Sequence, residues 1–312
     1  MDKFNKNILD NTADLLIEDV LDYIKIGIAV LKADYSISKM SLGFVNMFGY
    51  KQDELLNRSI NILFKSNEYN SLQRYMKNAN NSKYLSSVQK YELNGFRQDN
   101  TIIPLEITIF HSIEDRNYMH ILIMRDISEF KQSLESLQYL AYYDQLTKLP
   151  NRTLFRDRAD IAIRLAKRQD EKFAIIYIDI DDFKVINDTM GHEAGDIVLK
   201  ELSQRFQECV RDSDTVARAG GDEFTILMLK ISSLEDVSIV AERILESNLL
   251  PVTINDKDII LKTSLGISMF PQDGDKIDIL LKNADTAMYS AKGKGNNQFM
   301  FYNQKMMKGG NK

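Results

Sequence analysis

Residues 173–180, FAIIYIDI, are apolar on both faces of any strand they form, and the run ends in acids. A strand with two apolar faces needs cover on both sides, which makes it the central strand of a layered domain. Its end carries Asp179, Asp181 and Asp182. Asp is common where a strand enters a turn, so alone this acidity reads as a solvated strand end. Residues 216–229, VARAGGDEFTILML, change that reading: two apolar runs are joined by Gly220-Gly221 and followed at once by Asp222 and Glu223. If this hairpin pairs with the central strand, several carboxylates converge at one sheet edge. Like charges so placed raise one another's pKa and destabilise the fold unless cations lie among them.

Hard oxygen ligands with no His or Cys nearby suit Mg²⁺, with Mn²⁺ as the alternative ion. Such an ion takes a few carboxylates and completes its shell with waters and substrate phosphates. The expected substrate is therefore a nucleoside triphosphate. The backbone N–H groups of Asp182, Phe183 and Lys184, at the turn into the following helix, are placed to bind phosphate oxygens. Gly220 and Gly221 lack side chains and let a nucleotide lie against the hairpin.

The chain has 312 residues, enough for two domains that each bury a core. An apolar fraction of 44% and a charged fraction of 27% mark a folded chain, not a disordered or collagen-like one. A net charge of −5 and a pI near 5.4 give no general attraction to nucleic acid or to an anionic membrane surface. The single cysteine, Cys209, has no partner for a disulfide and reads as a small buried apolar side chain in a reducing compartment. The N-terminus lacks the apolar core of a signal peptide, and no stretch approaches the roughly 18 apolar residues of a membrane span. A cytoplasmic location is expected.

Two halves are legible. After a polar arm over 1–15, Leu15, Leu16, Val20, Leu21 and Ile24 recur at helical spacing, and IGIAVLKAD then reads as a strand. FVNMFGYKQDELLNRSI reads as short helices broken at Gly49. Beyond the Asn-rich loop KNANNSK, three apolar runs separated by Asp99-Asn100 and by Asp115-Arg116-Asn117 give an antiparallel meander. His111 and His120 fall on its strands and read as partly exposed positions. Between the halves, Ile127, Phe130, Leu134, Leu137 and Ala141 step by three and four, as in a short a/d seam of two parallel helices. The same stripe also fits packing against its own domain. From YYDQLTKLPNR onward helices and strands alternate: a helix over 152–168, the central strand, a helix after DTMGHEAGD, the hairpin, and a helix over 235–248. The strands of KDIILKTSLGISMF and a helix over 275–292 follow. The expected class is an α+β two-domain protein whose second domain has a mostly antiparallel sheet flanked by helices.

The first half resembles a PAS sensor domain over 16–128, through GIAVLKAD, VNMFGYKQDELL and the exit IMRDISEFK. PAS domains share a fold better than a function, and no residue here specifies the ligand. The second half resembles a GGDEF diguanylate cyclase. RAGGDEF stands at 218–224, with DQLTKLPNR before it, DIDDFKVINDTMGHEAGD on the central strand and its helix, and ADTAMYSAKGKGNN near the end. The resemblance implies a cyclase domain over 144–304, a helical signalling linker over 129–143 and a tail over 305–312. It implies two Mg²⁺ ions held by Asp179, Asp222 and the carbonyl of Ile180, with Glu223 supporting the metals or assisting deprotonation. Asn187 and Asp196 match the guanine-binding positions, and Lys184 and Lys292 the triphosphate contacts. A carboxylate accepts well from guanine N1–H and N2–H₂ and leaves adenine unsatisfied. Without the motif, Asn187 reads as a turn cap and Asp196 as a helix cap.

The implied reaction condenses two GTP molecules into cyclic di-GMP with release of two pyrophosphates. Each domain holds one GTP, so two domains must face each other, and a homodimer through the PAS domain and linker helix is expected. Arg211 and Asp214 stand in the spacing of the family's product-inhibition site; an ordinary surface ion pair is the plainer alternative. The sequence departs from the pattern at Asn296, where relatives usually carry a second basic phosphate contact; Lys294 lies two positions away. A catalytically silent domain that binds GTP or cyclic di-GMP is therefore the rival reading, although silent members typically lose the acidic pair kept here. A cyclase accepting ATP is a third, opposed by Asp196. No phosphodiesterase domain is expected in this sequence.

Overall fold

A computed structural model describes residues 26–79, 90–114, 117–254 and 256–306. The helix expected around Leu15–Ile24, the Asn-rich loop beyond residue 79, Asp115-Arg116 and the tail beyond 306 lie outside them. The chain divides into two compact units, Met1–Glu135 and Ser136–Lys312.

In the first unit, β1 (Ile26–Lys32) alternates buried and partly exposed residues, the pattern of a half-buried strand. It is followed by β2 (Ile37–Met40), which sequence periodicity does not reveal because only four residues form it. Helix α1 (Leu42–Phe48) starts at Ser41, whose hydroxyl accepts from Phe44 N–H, and stops at Gly49 in the left-handed region. Helix α2 (Gln52–Leu55), a 3₁₀ turn (Ile60–Leu63) and α3 (Ser66–Ala79) precede the meander β3 (Lys90–Phe96), β4 (Ile102–Glu114) and β5 (Asn117–Asp126). The antiparallel sheet order is β2-β1-β5-β4-β3. Phe44, Phe48, Leu55, Leu63 and Leu72 pack on its inner face with Ala29, Leu31, Leu105 and Ile107.

Of the two histidines, one differs from expectation. Register puts His111 directly across from His120, and their Nδ1 atoms lie 2.9 Å apart. His120 is buried, and burial, reinforced by His111, holds it at about 4. They are cross-strand partners: His111 is partly exposed as expected, and only the buried His120 departs from the expectation.

Helix α4 (Ser128–Tyr142) spans the expected linker, and the division between units falls inside it. Of the stripe, Ile127 is buried in the first unit, whereas Phe130, Leu134 and Leu137 are 64%, 46% and 62% exposed. The exposure removes the own-domain packing alternative for these three.

In the second unit, α5 (Arg152–Gln169) begins at Asn151, whose side chain accepts from the N–H groups of Thr153 and Leu154. Then come β6 (Phe173–Ile180), α6 (Phe183–Met190), α7 (His192–Glu208), β7 (Thr215–Gly220), β8 (Glu223–Met228) and α8 (Leu234–Asn248). The short strands β9 (Val252–Ile254) and β10 (Lys257–Ile259), then β11 (Thr263–Phe270), α9 (Ile277–Gly293) and β12 (Phe299–Phe301), complete the unit. DTMGHEAGD is not a loop before a helix: it lies within α6 and α7, which meet at Gly191. The sheet order is β12-β11-β6-β8-β7, antiparallel except that β12 runs parallel to β11.

Strand β6 sits at the centre with both faces buried. Its Phe173 and Ile175 face Phe155 and Ala159 of α5 and Leu280 and Ala284 of α9. Its Ala174, Ile176, Ile178 and Ile180 face Val198, Leu202 and Phe206 of α7 and Val237, Ala241 and Ile244 of α8. Two different cores thus lie on the two faces of one strand.

Candidate active site

Antiparallel pairing sets Asp179 of β6 opposite Glu223 of β8, on the sheet face covered by α5 and α9. Ile180 N–H reaches the Asp222 carbonyl at 3.4 Å, which brings the hairpin tip beside the end of β6. Gly220 and Gly221 have φ of 147° and 56°, and a Cβ built on either would meet nothing within 4 Å. The space above the hairpin is open, as close ligand approach requires.

Asp179 is buried to 9% exposure, and Lys292 of α9 donates to its Oδ1. Burial raises Asp179 above the usual carboxylate range; the Lys292 hydrogen bond and charge oppose this, and the negative Asp222 and Glu223 add to it. Lys292, read as a phosphate contact, is therefore also the counter-charge of the central acid. Asp181 is structural. Its carboxylate accepts from Ser264 Oγ at 2.8 Å and from Asn297 N–H at 3.0 Å, tying β6 to the loop after α9.

Just beyond this same end of β6, Asp182 is the N-cap of α6 with φ 57° and no side-chain cap bond. Val185 and Ile186 N–H both reach the Asp182 carbonyl. Among the described residues, the N–H groups of Phe183 and Lys184 are left as free donors of the first turn. Asn187 lies on α6 and Asp196 on the exposed side of α7, and neither side chain caps a helix. Gly195 is the device that lets the two helices meet here: a Cβ on it would run into Asn187 Oδ1.

Arg218, the first residue of RAGGDEF, holds the hairpin to the domain entrance. Its guanidinium donates to both Asp144 oxygens at 3.1 and 3.2 Å and to the Gly221 carbonyl at 2.6 Å. Burial pushes Asp144 up, yet hydrogen bonds from Thr147 and Arg218 and the Arg218 charge hold it below the ordinary carboxylate value. Sequence reasoning missed this pair because 74 residues separate its members. It also missed Tyr177, whose Oη donates to Glu223 Oε2 at 3.0 Å.

Arg211 and Asp214 do not form a side-chain ion pair. The Asp214 carboxylate accepts from the backbone N–H groups of Arg211 and Leu229, at 3.2 and 3.0 Å, and closes the turn before β7. Arg211 is exposed beside a cavity of about 190 Å³ that Asp236 and Arg243 also line. Asn296 has a left-handed backbone, φ 56°, in the turn after α9, and the neighbouring Lys294 is exposed.

Among the described residues no group of three or more His, Cys, Asp or Glu is arranged to hold a metal. The donors present are the carboxylates of Asp179 and Asp222 and the carbonyl of Ile180. Two carboxylates and a carbonyl fit a hard divalent cation that draws its remaining ligands from water and phosphate.

Residues 141–298 match the family described as diguanylate cyclase, GGDEF domain, and residues 25–129 match a PAS domain family. The chain belongs to the GGDEF family. Relatives include the bifunctional diguanylate cyclase/cyclic di-GMP phosphodiesterase MucR of Pseudomonas aeruginosa, 41% identical over 54% of this chain and 24% of its own length. The diguanylate cyclase TpbB of the same species is 41% identical over 50% of this chain and 36% of its own. The cyclic di-GMP phosphodiesterase PdeR of Escherichia coli is 29% identical over 93% of this chain and 43% of its own. The chain thus spans less than half the length of each of these relatives. The solved GGDEF domain of TpbB superposes with a TM-score of 0.53 at 37% identity, covering 54% of this chain and 98% of that one. The diguanylate cyclase SiaD of P. aeruginosa, solved with its activator SiaC, gives 0.50 at 29% identity, covering 56% and 69%. No helix among the described residues is long and apolar enough to cross a membrane.

Proposed function

We propose that this chain condenses two GTP molecules into cyclic di-GMP. The observation that carries the reading is the pairing of Asp179 opposite Glu223 across β6 and β8, with Asp222 in the turn beside the end of β6 and open space at Gly220 and Gly221. Asp179, Asp222 and the Ile180 carbonyl would hold two divalent ions, Mg²⁺ or Mn²⁺. Such ions lower the pKa of a 3′-hydroxyl and neutralise charge on the attacked phosphate. The free N–H groups at the start of α6 take phosphate oxygens. Lys184 adds its charge there, and Lys292 turns from Asp179 to the triphosphate as substrate enters. Asn187 and Asp196 read guanine. The 3′-oxygen of one GTP bonds to the α-phosphorus of the other, the α–β phosphoanhydride bond breaks, and pyrophosphate leaves. Glu223 supports the metal site or receives the hydroxyl proton. A second, equivalent step closes the ring.

Because one domain holds one nucleotide, two chains face each other, and the exposed stripe on α4 is the dimer contact by which the PAS domain regulates the encounter. Arg211 and Asp214 serve a product-inhibition site, with the Arg211 guanidinium free to contact phosphate or guanine.

A second reading is favoured by Asn296, where a basic contact is missing, and by the long match to a phosphodiesterase: a silent domain that binds GTP or cyclic di-GMP. Incubating the purified chain with GTP and Mg²⁺ separates the two. Cyclic di-GMP from the wild type, with turnover lowered about 10²–10³-fold in Asp222→Ala, supports the enzyme. Tight nucleotide binding without turnover, under any dimerising condition, supports the silent receptor.

A further inference from the structure

The two acids that face each other across β6 and β8 are held differently. Asp179, opposite Glu223, has the Lys292 ammonium as its counter-charge. Glu223 forms no ion pair among the described residues. Its protein tether is the Tyr177 hydroxyl, 3.0 Å from Oε2.

That contact follows from register. Tyr177 pairs with Thr225 and Asp179 with Glu223, so Tyr177 and Glu223 are diagonal neighbours on one sheet face. A phenol is long enough to span the diagonal, and its ring is half-buried between β6 and α9. The hydroxyl has one proton to donate, and it goes to Glu223. Arg152 and Arg156 of α5, with Lys282 and Asp285 of α9, line the cavity of about 280 Å³ that adjoins this pair. None of them bonds Glu223, so the carboxylate turns freely once the hydroxyl is gone.

We propose that Tyr177 is a positioning residue for Glu223, its hydroxyl fixing one carboxylate oxygen so that the other points toward the hairpin tip. This rests on the cyclase reading, in which Glu223 serves the metals or the reacting hydroxyl. Tyr177 acts through Glu223, the partner its hydroxyl bonds. A core tyrosine with no such role would matter only for stability.

The test is a double-mutant cycle on the full chain with Tyr177→Phe and Glu223→Gln. Tyr177→Phe keeps the ring and removes the proton donor. Its expected effect is a fall in kcat of about tenfold, the size seen when partners that orient active-site groups are removed, with KM for GTP unchanged. On the Glu223→Gln background the same change should cost nothing further. Equal losses on both backgrounds would overturn the proposal, as would a wild-type kcat in Tyr177→Phe. A readout independent of turnover is the ¹³C resonance of the Glu223 side-chain carboxyl, assigned by its loss in Glu223→Gln. In Tyr177→Phe it should move toward the position of a solvent-exposed glutamate. If wild type makes no cyclic di-GMP the cyclase reading fails, and the carboxyl resonance still decides whether Tyr177 holds Glu223: an unmoved resonance refutes it.

Discussion

Arg218 and Asp144 do more for the site than either acid of the hairpin can do for itself. The guanidinium is 13% exposed and the carboxylate 24%, so their charge-assisted bonds are poorly screened. Asp144→Asn keeps the shape and removes the charge, and is expected to lower stability at neutral pH by about 1.5–3 kcal/mol, the usual range for hydrogen bonds to charged groups. The sign with pH follows from the depressed pKa. The native carboxylate binds protons less readily than the unfolded one, so its contribution is complete above the unfolded value of about 3.9 and is lost as pH falls through the folded value. Thermal unfolding of wild type and variant should converge in acid; a constant gap at all pH values would contradict the assignment. Asp179, Asp222 and Glu223 stand out in the sequence only in combination: acid at one strand end is ordinary turn chemistry, but a second acidic tip on an apolar hairpin brings like charges together if the strands pair. Tyr177 does not, because a tyrosine inside a buried strand has the same pattern as any core aromatic, and its meaning lies in a cross-strand diagonal.

At the scale of elements, the junction of α6 and α7 is built around a missing methyl group. Gly195 lies inside α7, where glycine costs about 1 kcal/mol relative to alanine, and Asn187 occupies the space its side chain would take. If Asn187 reads guanine as proposed, Gly195→Ala should leave stability unchanged or slightly raised while KM for GTP rises about tenfold, because the new methyl displaces Asn187. A lower melting temperature together with the rise in KM would mean simple overpacking instead. The long amphipathic helices α5, α8 and α9 are legible from their periodicity to within two residues. The three-residue strand β12 is not, since its pairing depends on the parallel approach of β11 and not on any pattern of its own. Four-residue β2 is hidden for the same reason: short elements are decided by tertiary contacts.

At the scale of the whole molecule, α4 is fastened at each end to a different unit. Ile127 N–H donates to the Pro104 carbonyl at 3.0 Å and Lys131 pairs with Glu92 at 2.9 Å. At the far end Asn151 donates to the carbonyls of Tyr142 and Ala141, both at 2.9 Å. Between these anchors Phe130, Leu134 and Leu137 are left to water, an arrangement expected of a helix that meets a second copy. Leu134→Asp with Leu137→Asp should give a folded monomer by light scattering with turnover lost. A monomer with full turnover would sink the dimer mechanism. The stripe is visible in the sequence as an a/d seam, but whether it packs inward or outward is a matter of exposure that spacing does not encode.

The Lys292 ammonium against Asp179 has a further consequence. In many metalloproteins the ion is part of the scaffold, and chelation unfolds the chain. Here the central acid is already neutralised by an internal cation from α9, so the folded domain does not wait on metal supply. On the proposed cyclase reading, ion and nucleotide would arrive together at a finished fold, and metal scarcity would idle such a molecule without sending it to the proteases.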